Sequence, residues 1–140
     1  MKQNIVERRI AWGDLDPSDI VFYPRYYEWI DACGHLFFKF IGLPHEALAR
    51  EYQIGLSLVE TGCTYSKPGR YHQLIRIKTM LEDLTPKTLV LRHTIHDAAD
   101  DSLMVSGIKN DIGYIFIDIL ATPAIIFCKP NLFVSDSKSL

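Results

Sequence analysis

Cysteine is scarce in this chain: three among 140 residues, Cys33, Cys63 and Cys128, no two of them close in sequence. An odd number without a short spacing fits neither a disulfide framework nor a zinc knuckle, and it favours a reducing compartment. An excess of positive charge is missing too, since 15 Lys and Arg stand against 17 Asp and Glu. The net charge of −2 offers no basic field to nucleic acid or to an anionic membrane. The start, MKQNIVERRI, has charges where a signal peptide needs its apolar stretch. No glycine-rich phosphate loop occurs, and no Ser or Cys lies in a nucleophile elbow. Long apolar runs are limited to residues 112–128, IGYIFIDILATPAIIFC, broken by Asp118 and Pro123. That run is at the short limit for a membrane span, and its Ile, Tyr and Phe favour a strand. The expectation is a cytoplasmic protein that neither crosses a membrane nor binds nucleic acid.

What the chain does have is the profile of a globular domain, 48% apolar and 23% charged. The length suits a single domain, residues 1–134, followed by a tail, 135–140. Partial alternation over residues 4–12 reads as a first strand. A turn-rich DLDPSD follows, and Pro24 then opens a helix at the position where its missing N–H costs nothing. That helix runs to about Ile41 and stops at Gly42. Its apolar face carries Tyr26, Ile30, Cys33, Phe37 and Phe40, so something apolar must wrap it. Residues 45–52 read as a second, short helix. Strand-like runs then occupy residues 56–65, 73–82, 88–97 and 103–118, separated by Pro68-Gly69, Pro86 and DAADD. One long helix followed by hairpin-connected strands predicts an α+β fold, an antiparallel sheet curled round a central helix. Strand edges in such a sheet invite a second copy.

The densest polar cluster is Gly13-Asp14-Leu15-Asp16-Pro17-Ser18-Asp19, immediately before the core helix. A carboxylate there can face a substrate carbonyl while helix N–H groups stabilise the oxyanion. It can act as nucleophile or as general base for water. On residue types alone, an Asp-rich turn bonded to its own backbone accounts for the segment at least as well. The twelve-residue calcium pattern is absent, because DLDPSDIVFYPR lacks the required Gly and Glu. Asp14, Asp16 and Asp19 leave a magnesium site as a minor alternative, and no metal is the expectation. His93 and His96, three apart on a strand, face opposite ways and make no metal pair.

The run WGDLDPSDIVFYPRYYEWIDACGHLFFKFIGLP resembles the N-terminal signature of hotdog-fold acyl-CoA thioesterases, in particular the 4-hydroxybenzoyl-CoA thioesterase branch. YSKPGRYHQLIRI and LTPKTLVLRHTI resemble the stretches that follow in that family, so the likeness covers residues 4–106. The resemblance implies a hotdog fold, with about five antiparallel strands wrapped around the helix at residues 24–41. It implies hydrolysis of an aryl- or medium-chain acyl-CoA without a cofactor, at a site between the subunits of a homodimer or tetramer. By position, Asp16 matches the family's catalytic carboxylate, and Tyr23 the residue whose backbone N–H polarises the thioester carbonyl. Pro24 stands beside it on the substrate. Lys87 matches a basic residue near the coenzyme A phosphates. Gly62 lies inside a strand pattern, where a glycine can mark close backbone approach, and a dimer offers the other subunit's Asp16 as one neighbour for that segment.

Two departures stand out. Leu84-Thr85-Pro86 replaces the family's arginine cluster before Lys87, and Asp19 replaces a Gly that would tolerate positive φ. Both keep open a non-catalytic hotdog that binds acyl groups or assembles with a partner. A hydratase is disfavoured, since no His follows Asp16 until His35. Lys67 and Arg70 read as solvated loop charges, Tyr26 and Trp29 as packing residues, and Cys33 and Cys63 as buried and inert. Of Arg92 and His93, one must face inward.

Overall fold

Alternating residues place one apolar face on the strands at residues 74–84 and 88–97, and the 17-residue helix buries that face. In the computed structural model, which describes residues 2–85 and 87–115, the elements run β1 (Gln3–Arg9), a 3-10 turn (Trp12–Asp14), α1 (Pro24–Phe40), α2 (His45–Glu51), β2 (Ile54–Tyr65), β3 (Leu74–Leu84), β4 (Thr88–Asp97) and β5 (Leu103–Ile115). The strands form one antiparallel sheet in the order β1-β3-β4-β5-β2. The expected architecture is therefore present: a five-stranded sheet wrapped on α1.

The connectivity differs from a run of hairpins. Only β3-β4-β5 is a meander, whereas β2 pairs with β5 at one edge and its chain crosses to β3, beside β1 at the other. Turn signals mark where a strand ends but not which strand it joins. Here the segment after β2 is used elsewhere: Gly69 accepts from Val21 N–H at 2.9 Å, and Gln73 from Ile10 N–H at 2.9 Å. The first strand is also shorter than its alternation suggests. Asp14 draws the Ala11 N–H onto its carboxylate at 2.8 Å, which winds residues 12–14 into the 3-10 turn. Of residues 112–128, the first four continue β5 and residues 116–128 lie outside the described residues. Among the described residues no helix is long and apolar enough to cross a membrane.

Helix α1 starts at Pro24 and ends as Gly42 predicts. Gly42, at φ 81°, donates to Lys39 C=O, and Leu43 N–H reaches Phe38 C=O, a Schellman closure. Two apolar clusters lie under the helix. Its N-terminal half packs Tyr26, Trp29 and Cys33 on Ile75, Ile77, Ile95 and Val105. Its C-terminal half packs Phe37 and Phe38 on Leu43, Leu48, Ile54, Leu89 and Leu91. Helix and sheet come close at Gly107, where a Cβ would stand 2.6 Å from Ile30 Cδ1. Gly107, rather than Gly62, marks the close approach that a glycine in a strand can signal. A Cβ on Gly62 would meet open space.

Candidate active site

The acidic loop is a miniature hairpin set against the first turn of α1. Leu15 and Val21 form an antiparallel bridge, flanked by Phe22 N–H to Asp14 C=O and Asp16 N–H to Ile20 C=O, both 2.8 Å. The tip is a four-residue turn, Asp16-Pro17-Ser18-Asp19, closed by Asp19 N–H to Asp16 C=O at 3.0 Å. Asp19 then takes φ 61°, the left-handed conformation that reverses the chain. The place where glycine was expected thus does require positive φ, and Asp is one of the few other residues that visit it. Leu15 and Val21 turn to the core, which directs Asp16 to the opposite face.

The three acids of this loop have different surroundings. Asp14 is buried, 6% exposed. Its carboxylate accepts from Ala11 N–H and lies 3.9 Å from Arg8 and 3.8 Å from Arg25. Arg8 in turn lies over the Trp29 ring, 4.7 Å from its centroid. Asp14 is thus a structural clasp between β1, the loop and α1. Asp16 is half-buried, and the one hydrogen bond of its carboxylate among the described residues is from Ser18 N–H to Oδ1, 2.7 Å. Asp19 is exposed. With Asp14 committed to two arginines, the acids do not converge, and no group of three metal-ligating side chains occurs among the described residues.

Tyr23 caps α1 with helical φ and ψ of −53° and −32°. Its ring is exposed, and its backbone carries the interest. Pro24 has no N–H, Arg25 N–H donates to Phe22 C=O at 2.9 Å, and Tyr26 N–H to Tyr23 C=O at 3.1 Å. Among the described residues Tyr23 N–H donates to no acceptor. The positive end of α1 therefore presents one open donor next to the loop that carries Asp16.

The support for this arrangement includes residues that sequence patterns left unremarked. Gly69 is buried where a Cβ would stand 2.8 Å from Val21, 2.9 Å from Ile10 and 2.9 Å from the Tyr26 hydroxyl. The Gly69 N–H donates to that hydroxyl at 3.1 Å. Burial raises the Tyr26 pKa, which keeps the hydroxyl protonated while it accepts this bond. The Pro68-Gly69 dipeptide was the available signal, and it was legible only as a turn.

Deeper along α1 lies a polar group that no motif announced. Lys109 on β5 is buried, 7% exposed, and its Nζ donates to Asp31 Oδ1 at 3.0 Å. Burial works to raise the Asp31 pKa, but the Lys109 hydrogen bond and charge, helped by His35 and His45, hold it below the usual value. Of the Arg92–His93 pair, His93 is the one inside. Its Nδ1 lies 2.9 Å from Thr79 Oγ1, and its Nε2 has no hydrogen-bond partner among the described residues. Arg92 faces out to Glu82. Cys33 is buried, and burial pushes its thiol up to about 11; Cys63 is only half-buried, again with a raised pKa.

Asp16, Tyr23 and Pro24 thus meet at one end of α1, and Lys87 does not join them. Lys87 lies in the β3–β4 turn. The loop joins β1 at its Arg9 end, where Arg9 pairs with Leu74 at the start of β3. The 11 residues of β3 separate the two, about 30 Å. Gly62 is on β2, paired with Ile108, partway along the sheet.

Comparison with known proteins identifies the family and the fold. The sequence profile of the Thioesterase superfamily matches residues 19–103. A 4-hydroxybenzoyl-CoA thioesterase from Pseudomonas sp. (strain CBS-3) is 28% identical over 92 residues, 64% of this chain; the match spans just under two thirds of that relative, 65%. Among solved structures, a gentisyl-coenzyme A thioesterase superposes with a TM-score of 0.71 at 28% identity, covering 87% of this chain and 98% of that one. The 4-hydroxybenzoyl CoA thioesterase of the same Pseudomonas strain superposes with a TM-score of 0.76 at 25% identity, covering 85% and 89%. The fold is the hotdog, and the chain belongs to the Thioesterase superfamily.

Proposed function

We propose that this protein hydrolyses an aryl-coenzyme A thioester to the free acid and coenzyme A. The observation that carries the reading is the pairing of a half-buried Asp16, its carboxylate bonded only to Ser18 N–H among the described residues, with the open Tyr23 N–H at the start of α1. Membership of the Thioesterase superfamily and the likeness to two aryl-CoA thioesterases support it.

In this mechanism the thioester carbonyl oxygen accepts from Tyr23 N–H, and the helix end stabilises the charge that develops there. Asp16 either attacks the carbonyl carbon, giving a mixed anhydride that water opens, or takes a proton from the attacking water. Either route breaks the C–S bond, and the leaving thiolate is protonated to coenzyme A. Pro24 presets the backbone of the first helical residue and contributes no N–H of its own. Asp14 holds the loop without entering the chemistry.

A second copy of the chain belongs to this reading. Among the described residues β2 is a sheet edge, and its Leu58 and Val59 are each 55% exposed. Pairing along that edge would cover them and bring Gly62 towards the neighbouring loop. A Lys87 that serves Asp16 would also have to come from another copy.

The test is thiol release from a panel of aryl-, short- and long-chain acyl-CoAs, wild type beside Asp16→Ala, with the three protein thiols subtracted. Turnover lost in the variant is the expected result. Turnover that survives unchanged moves the chemistry away from Asp16. Coenzyme A binding without turnover by the wild type returns the acyl-binding alternative.

A further inference from the structure

We propose that the aromatic and cationic shelf formed by Trp12, Tyr71, Arg9 and Arg70 holds the adenosine phosphate end of coenzyme A. This rests on the thioesterase reading for its ligand, and it concerns residues to which the chemistry at Asp16 gives no role.

The shelf is a built feature at the same end of the sheet as Asp16. His72 N–H donates to Ile10 C=O at 2.9 Å, and Arg9 Nη1 donates to His72 C=O at 2.7 Å. His72 takes φ 65°, which turns the chain so that Tyr71 projects outward. Tyr71 meets Trp12 edge to face, with centroids 5.7 Å apart and planes at 87°. Both rings remain open to solvent, Trp12 at 70% and Tyr71 at 54%. Exposed aromatic surface of this size in a loop is costly unless something covers it.

The charges beside it select the occupant. Arg8, Arg25, Arg76 and Arg92 each form an ion pair with a carboxylate. Arg9 and Arg70 form none among the described residues. A purine stacks on an open indole face, and guanidinium groups take phosphate oxygens in bidentate fashion. Arg9, held on His72 C=O, and Arg70, next to Tyr71 in the chain, have no carboxylate partner among the described residues, and with two open rings they match a purine nucleotide better than an apolar or cationic partner. The alternative grip is reduced in this chain: Leu84-Thr85-Pro86 carries no arginine, which leaves Lys87 as its one cation.

The experiment titrates the protein with adenosine 3′,5′-bisphosphate and with coenzyme A, following tryptophan emission. Trp29 is 4% exposed, so a ligand-induced change reports Trp12. The expected result is a change in emission that Trp12→Ala removes, with the bisphosphate Kd, read by titration calorimetry, weakened roughly tenfold in Trp12→Ala and Arg70→Ala. Binding should also weaken with added salt. In kinetics, each variant should lower kcat/KM for an aryl-CoA about tenfold relative to the same acyl group on N-acetylcysteamine, which carries no nucleotide. Unchanged bisphosphate affinity in both variants overturns the proposal, as does a loss confined to Lys87→Ala. An indole shielded from iodide in the free protein, with no response to coenzyme A, also overturns it and points to a second copy on the shelf. If neither thioester is hydrolysed, it is the thioesterase reading that fails, and the bisphosphate titration still decides the shelf.

Discussion

Around the C-terminal half of α1 the packing is apolar and closed: Phe37 and Phe38 pack on Leu43, Leu48, Ile54 and Leu91, and the Schellman bonds take up the Phe38 and Lys39 carbonyls. Around its N-terminal half the apolar cluster is held in place by polar links instead. Asp14 joins Ala11, Arg8 and Arg25, and Gly69 joins Val21 and Tyr26. The ends also differ in what they leave unmet. At the N-terminal end Tyr23 N–H and most of the Asp16 carboxylate have no partner among the described residues. A site needs groups whose partner arrives with the substrate, so it is built where hydrogen bonds rather than packing fix the backbone.

The comparison can be broken most directly at Asp16. Asp16→Asn keeps the shape of the turn and should lower thioester turnover at least a hundredfold. Urea unfolding should shift by no more than about 0.5 kcal/mol. An equal loss of stability would mean that Asp16 is another clasp like Asp14. Phe38→Ala is the complement at the closed end. Phe38 is fully buried, and truncation should cost about 3–5 kcal/mol in denaturant unfolding. The activity of the folded fraction should change far less.

His93 sharpens the comparison through pH. Burial, and then the charge of Lys109, push its pKa down to about 4, with Asp31 opposing. Between pH 6.5 and about 4 the unfolded chain takes up a proton that the folded chain refuses. Stability is therefore lost as pH falls through that window, by at most about 3 kcal/mol. Urea midpoints at pH 7 and pH 4.5 should diverge for the wild type and converge for His93→Phe. Equal divergence in both would assign the acid sensitivity to other groups. The smallest expected effect is at Gly69. Gly69→Ala sets a methyl 2.8 Å from Val21 and 2.9 Å from Ile10, an overpacking cost of about 1–3 kcal/mol. Because Val21 N–H bonds Gly69 C=O, the strain falls on the Asp16 loop, and kcat should drop by more than the stability change implies.

Much of this was legible along the chain. Pro24 and Gly42 bracket α1 because one lacks an N–H and the other tolerates positive φ, and both properties belong to single residues. Alternation marked strands, the turn residues of DLDPSD marked the loop, and Pro24 marked the helix start. The sequence by itself determined local outcomes: where the long helix begins and ends, which of its faces is apolar, and that a tight turn precedes it. Tertiary structure alone decided the rest. It made Asp14 a clasp and left Asp16 open, though the two lie only two residues apart, because Arg8 and Arg25 come from different elements. It set β2 beside β5, sent Lys87 to the far end of the sheet, and buried Lys109 against Asp31. Each of these depends on which distant segments meet, and a local pattern carries no record of its partner.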